Sequence, residues 1–269
     1  MRAHPFDRAL LALALILLPS GAFALDLDRF TDELPPNPCL PNSGQPVVFA
    51  GPYCDGAACP PDTWVTCASV EVVQDGLAGV FAGTRRHVRL FPFYGQLFNA
   101  MSVRVDPGTN RLNATLDTRT EVGVLLDYGT PYASIPDPGA LNLDLLSLGV
   151  ESFRFDLAGD LSPAQPLFVH VEFLSDGFTS PRPSAAAEVL VSQAGTVSIP
   201  LAAFQSLQGF SMSDVDDIQV WFSQCADFEN GCPTGNYEPI QFSLGPIEFH
   251  QGIVAATRTS WGMLKSLYR

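Results

Sequence analysis

The chain has 269 residues, with 14 Lys and Arg against 28 Asp and Glu and a formal charge of −14. That surplus of carboxylates excludes a nucleic-acid binder and a basic membrane-surface protein, because affinity for a polyanion is built from clustered cations and the only such cluster is Arg85-Arg86-His87-Val88-Arg89. With 46% hydrophobic and 16% charged residues, 19 Phe, and 23 Pro and 22 Gly spread along its length, the chain can bury a core, is not disordered by composition, and suits short strands joined by turns better than helices.

Residues 1–24 read as a secretory signal. Arg2 and Arg8 form a charged head, Ala9 to Leu18 an apolar run, Pro19-Ser20-Gly21 a break, and Ala22-Phe23-Ala24 a small-x-small cleavage site, so the cut is expected after Ala24. The apolar run is well short of the roughly twenty residues that span a bilayer as a helix, and no later stretch is long and apolar enough to do so. The expected address is therefore secreted or cell surface.

Residues 25–66 are rich in Pro and Cys and poor in periodicity, apart from Val47-Val48-Phe49-Ala50, and read as a disulfide-stapled N-terminal cap. All six cysteines, Cys39, Cys54, Cys59, Cys67, Cys225 and Cys232, follow the signal, and an even number in an exported chain reads as disulfides. A zinc site fits poorly, since there is no CxxC pair and no His among the first four cysteines. Cys225 and Cys232 bracket the turn-forming ADFENG and are natural partners, a closure worth about 2 to 3 kcal/mol in the chain-entropy model. The other four allow three connectivities, and spacing inclines only mildly to Cys54 with Cys59 and Cys39 with Cys67.

From Cys67 to Gln251 apolar and polar residues alternate in runs of four to eight between Gly, Pro, Asp, Asn or Ser clusters, the period-two pattern of half-buried antiparallel strands. The clearest are Ser152 to Leu157, Phe168 to Phe173, Ile218 to Phe222 and Ile240 to Leu244. Others are Ser69 to Val73, His87 to Phe91, Met101 to Val105, Arg111 to Asp117, Val122 to Tyr128, Glu188 to Val191, Thr196 to Pro200 and Ile247 to His250. About a dozen short strands at this spacing predict a single two-sheet antiparallel sandwich over 67–251. Leu201 to Leu207 is expected to form one or two helical turns. In residues 252–269, which contain no acid, Trp261, Leu264 and Leu267 recur at a spacing of three, predicting a short amphipathic C-terminal helix. That tail either docks on the acidic body or serves as an attachment signal read by export or surface machinery.

Gly76 to Leu90, Asn142-Leu143-Asp144-Leu145 leading into ESFRFDLAGD, and Val197 to Phe222 together resemble the jelly-roll modules of secreted bacterial proteins, close in style to carbohydrate-binding modules. The resemblance spans about 67–251. It implies a jelly-roll sandwich and extracellular binding or surface display rather than catalysis, and it transfers no ligand.

Two carboxylate groupings offer oxygen ligands for calcium. Asp214, Asp216 and Asp217 form one, with Asp227 and Glu229 nearby, although a solvated turn capped by Asp214 accounts for them better. The second, argued by analogy with jelly rolls whose terminal strands meet, joins Glu71 or Asp75 to Glu248. For a sugar, flat aromatic faces are needed. Phe91, Phe93, Tyr94 and Phe98 share one stretch and Tyr128 and Tyr132 bracket another; the Phe residues are expected in the core, leaving Tyr94, Tyr128 and Tyr132 as the ligand-binding candidates. Trp221 shares a strand face with Gln219, and whether that face is inside or outside is open. His170, between Val169 and Val171, is expected on a solvated face.

No catalytic role is expected. Carboxylates such as Glu71, Glu172, Glu188 and Glu248 are too plentiful to single out a glycosidase pair, and no HExxH, GxSxG or P-loop occurs. Asn113-Ala114-Thr115 matches a glycosylation sequon. Two functions follow: an exported non-catalytic binding or surface module for an extracellular glycan, or a structural or assembly protein of the cell envelope with no small-molecule site.

Overall fold

The computed structural model describes residues 24–35, 47–53, 65–67, 71–81, 85–93, 101–116, 121–129, 141–175, 182–224 and 239–252. Among them are two antiparallel sheets, no α-helix, and a 3-10 turn at Leu201–Ala203. The first sheet runs β12 (Gly195–Pro200), β9 (Val150–Gly159), β15 (Ile240–Gln251), β7 (Arg111–Leu116), β6 (Met101–Asp106), β2 (Val47–Tyr53), β3 (Val65–Cys67), with β1 (Ala24–Asp28) also paired to β15. The second runs β13 (Gln205–Leu207), β11 (Ser184–Val191), β10 (Leu167–Leu174), β14 (Asp217–Ser223), β8 (Glu121–Gly129), β5 (Arg86–Phe93), β4 (Glu71–Gln74).

Alternation places the core. Phe153, Phe155 and Leu157 of β9 and Phe242, Leu244, Ile247 and Phe249 of β15 meet Val169, Val171 and Phe173 of β10 and Ile218, Val220 and Phe222 of β14, all buried. The aromatic rings lock the two layers together: Phe153 meets Phe173 edge-on at 5.9 Å and Phe155 meets Phe222 likewise at 5.9 Å, while Phe204, just after the 3-10 turn, stacks on Phe173 at 4.4 Å.

Three sequence expectations change. Ile240 to Leu244 and Ile247 to His250 are one strand, because Gly245 and Pro246 form a bulge opposite Asp156 that keeps Leu244 and Ile247 both facing inward. Proline has no N–H for a ladder, so a bulge is where a strand accepts it. Gln205 to Leu207, expected to be helical, is strand β13 on the edge of β11. The described parts of 25–66 are not a separate cap, since β1 pairs β15 and β2 pairs β6 within the first sheet. Leu27, Phe30 and Leu34 are buried, so this segment shares the common core.

The N-terminal strand is also held by charge. Arg86, fully buried on β5, donates from Nη1 to both oxygens of Asp28 at 3.2 and 3.1 Å, from Nη2 to the Asp32 carbonyl at 2.7 Å and Gln74 Oε1 at 2.8 Å, and from Nε to Gln74 Oε1 at 3.1 Å. Asp28 also accepts the Phe30 N–H at 2.8 Å and the Tyr128 hydroxyl at 3.0 Å. Burial raises the Asp28 pKa, and Arg86 and these hydrogen bonds pull it back. A buried ion pair of this kind is destabilising by several kcal/mol when one partner is removed, about 3 to 5 in comparable cases.

Five of the cysteines, Cys39, Cys54, Cys59, Cys225 and Cys232, lie outside the described residues, as do residues 1–23 and the tail from 253 onward; Cys67 is described by its backbone, at the end of β3.

Candidate functional site

Each sheet has one face in the core and one turned outward, and the outward face of the second sheet gathers the side chains suited to recognition. Its register aligns Glu188, His170, Trp221, Leu125 and Arg89 across β11, β10, β14, β8 and β5, with Leu125 fully buried, and the backbone of Glu71 on β4 continues the row. Two residues along each strand, Glu172, Gln219, Asp127 and His87 form a second row. With strands about 4.8 Å apart, the first row extends about 24 Å across the sheet.

Trp221 is half-buried, next to His170 in the register. His170 Nδ1 lies 3.2 Å from Glu188 Oε1, and its Nε2 lies 4.0 Å from Glu172 Oε2, so two carboxylates hold the imidazole upright between them. Deeper in the second row, His87 Nδ1 is 3.6 Å from Asp127 Oδ2, each side chain 1% exposed. Asp217 is diagonal to Asp127 on the neighbouring strand and accepts a hydrogen bond from Arg182 Nη1 at 2.9 Å. Burial pushes the Asp217 carboxyl well above its usual 3.8, the charge and hydrogen bond of Asp127 push it further, and Arg182 opposes them. Two carboxyls in contact out of water cannot both ionise cheaply, so Asp217 holds its proton more tightly than a solvated carboxyl does.

The outward face of the first sheet is built differently. Thr196 Oγ1 donates to Asp156 Oδ1 at 2.6 Å, Arg154 Nη1 to His250 Nδ1 at 3.1 Å, and Arg111 Nε to Ser243 Oγ at 2.7 Å. Among the described side chains that face carries short polar and charged groups and no Phe, Tyr or Trp. A groove of about 500 Å³ lies at the sandwich edge between β11 and β12, lined mainly by small aliphatic residues such as Ala187, Val189 and Ile199.

The residues singled out in the sequence distribute as follows. Tyr128 faces the core, fully buried, with its hydroxyl on Asp28, so it offers no surface for a sugar; burial and the Asp28 charge raise its pKa well above the usual 10.0 and keep it a phenol. Tyr94 and Tyr132 lie outside the described residues. The joining of Glu71 or Asp75 to Glu248 does not occur: Glu71 is on β4 of the second sheet, Asp75 just beyond it pairs with Arg85, and Glu248 is on β15 of the first sheet, 3.8 Å from Arg154. The strands beside Glu248 are β9, where Arg154 stands opposite it, and β1, where Asp26 does and is paired with Arg29. Asp214 is exposed, whereas Asp216 is nearly buried and Asp217 is turned into Arg182, so the three do not form the solvated turn expected of them. Among the described residues no three His, Cys, Asp or Glu side chains converge as metal ligands.

The sequence reading missed Asp127, His87 and Arg182 as one cluster, and left Trp221 open. The signal for Trp221 was present: Asp217, Gln219, Trp221 and Ser223 alternate with Ile218, Val220 and Phe222, and the apolar set is the buried one.

No protein-family model matches the chain. No curated protein matches it in sequence. Solved structures of carbohydrate-binding modules are similar to it in fold. A family 11 module from Clostridium thermocellum, in complex with a β-1,3-1,4-mixed-linked tetrasaccharide, is 10% identical over 76% of this chain and 97% of its own, at a TM-score of 0.31. A family 30 module of a cellulosomal cellulase of the same organism is 17% identical over 59% of this chain and 78% of its own, at 0.35. A loop-swap mutant of Xyn11A from Necallimastix patriciarum is 8% identical over 68% of this chain and 96% of its own, at 0.27.

Proposed function

We propose that the chain is an exported, non-catalytic glycan-binding module that holds its ligand on the outward face of the second sheet. The observation that carries this is Trp221, half-buried on that face and flanked in register by His170 and, one row on, by Gln219 and Glu172. An indole fixed in a sheet offers the apolar side of a pyranose a flat partner, while the partly exposed imidazole of His170 and carboxylates of Glu172 and Glu188 beside it exchange hydrogen bonds with the sugar hydroxyls. Arg182 is already paired with Asp217, and Glu188 and Glu172 on either side of His170 add negative charge, which favours a neutral sugar over a uronate.

Two features support the non-catalytic part. The buried carboxyls of Asp127 and Asp217 share a hydrogen bond, closer than the roughly 5 Å or more that separates the acid and nucleophile or base of a glycosidase. Both are also withdrawn from solvent. Export rests on the signal-like first 24 residues and on six cysteines beyond them.

The test is isothermal titration of the mature chain against a panel of soluble neutral β-glucans, including a β-1,3-1,4-mixed-linked glucan, and against polygalacturonate. Binding of a neutral glucan that weakens about tenfold or more in Trp221→Ala, worth about 1.4 kcal/mol, with Thr115→Ala on the first sheet unchanged, supports the reading. Equal binding by Trp221→Ala removes the site. No binding to any glycan returns the chain to the envelope structural role.

A further inference from the structure

The bond at which the signal is expected to be cut, Ala24–Leu25, is the first of strand β1, with Ala24 exposed, Leu25 half-buried and both residues paired to β15. Ala24 stands opposite His250, Leu25 opposite Phe249 and Asp26 opposite Glu248 in the ladder between β1 and β15. The next turn of chain is tied more firmly still: Arg29 N–H bonds the Gly79 carbonyl at 2.9 Å, Asp28 bridges to Val80, and Leu27, Asp28, Phe30 and Leu34 are buried. A peptidase takes its substrate as an extended segment, through the same backbone N–H and C=O groups that a sheet uses. Cleavage of a folded chain therefore requires the segment to open first, and its rate is scaled by the fraction of molecules that are open.

We infer that removal of the signal must precede docking of β1, so that the completed sandwich blocks its own processing and the chain must reach the peptidase unfolded. This rests on the export reading above. Undocking β1 far enough to free Ala24–Leu25 strips Leu25 and Asp26 from β15 and loosens the segment anchored by Arg86 on Asp28 and on the Asp32 carbonyl. An export route that carries folded proteins would deliver a chain whose signal is no longer cut.

The experiment uses the full 269-residue precursor and a purified signal peptidase, with mass spectrometry of the new N-terminus. One sample is refolded before the enzyme is added; the other is diluted from urea directly into it. The expected result is cleavage after Ala24 in the urea-diluted sample and at least a hundredfold slower cleavage in the refolded one. Asp28→Asn, which weakens the Arg86 anchor, and the milder Leu27→Val should both speed cleavage of the refolded precursor, at unchanged rate from urea. Equal rates for the two wild-type samples overturn the inference while leaving export intact. Failure of both samples to be cut at Ala24 overturns the signal reading and the inference with it.

Discussion

The two outward faces of this sandwich are made by the same alternation and end in different physical states. On the first sheet the outward positions hold Thr196, Asp156, Ser243, Arg154 and similar groups, whose short hydrogen bonds run along the surface, and the ion pair of Arg154 with Glu248, at 3.8 Å, joins side chains 30% and 28% exposed. On the second sheet the outward positions hold Trp221 and His170, half-buried, and in the neighbouring rows Gln219, His87, Asp127 and Asp217, all taken out of water. Period two therefore marks which residues share a face, but not whether that face is left to solvent or loaded with groups whose burial costs free energy.

The comparison is broken most sharply by removing an arginine from each face. Arg182→Ala leaves Asp217, at 0% exposure, without its cation and should cost about 2 kcal/mol, below the range for a fully buried pair because Arg182 itself is 22% exposed. Arg154→Ala removes a solvent-screened partner of Glu248 and should cost about 0.5 kcal/mol or less. Urea denaturation of both variants reads the difference, and equal costs would erase the distinction between the faces.

A smaller effect follows from the raised Asp217 pKa. Because the folded Asp217 pKa is raised above 3.8, the native chain holds a proton over a range where the unfolded chain has released it. The stability this contributes is full below the unfolded value and is lost as pH rises through the folded one, at no more than about 1.4 kcal/mol per pH unit. Asp217→Asn, which cannot ionise, should lose that decline: the wild-type stability, measured against the variant by urea denaturation from about pH 4 to 8, should fall as pH rises. Asp214→Asn, an exposed neighbour, should run parallel to wild type. The smallest effect is expected for Thr115→Ala on the first face, within about 0.5 kcal/mol of wild type.

Much of the sandwich was legible because its strands keep one apolar face, as in Phe168 to Phe173 and Ile218 to Phe222. Tyr128 was misplaced for a local and a distant reason. Leu125 and Leu126 are both apolar and both buried, so the run Val122 to Tyr128 does not declare its inner face. The partner that lets a phenol sit in the core is Asp28, a hundred residues earlier. Asp217 reads as one of three turn carboxylates until Arg182, thirty-five residues away, is brought to it by the pairing of β10 with both β11 and β14. β1 was hidden in a Pro- and Cys-rich segment, where composition outweighed the short alternation of Leu25 and Leu27.

The most direct test of the proposed glycan-binding face is a backbone and indole amide chemical-shift map of the mature chain titrated with soluble oligosaccharides of the neutral β-glucan panel. The account predicts shifts centred on the Trp221 indole and on the amides of His170, Glu172 and Gln219, with β7 and β9 unmoved. Shifts confined to the first sheet around Arg154 and Thr115, or a spectrum unmoved by every glucan, would contradict it.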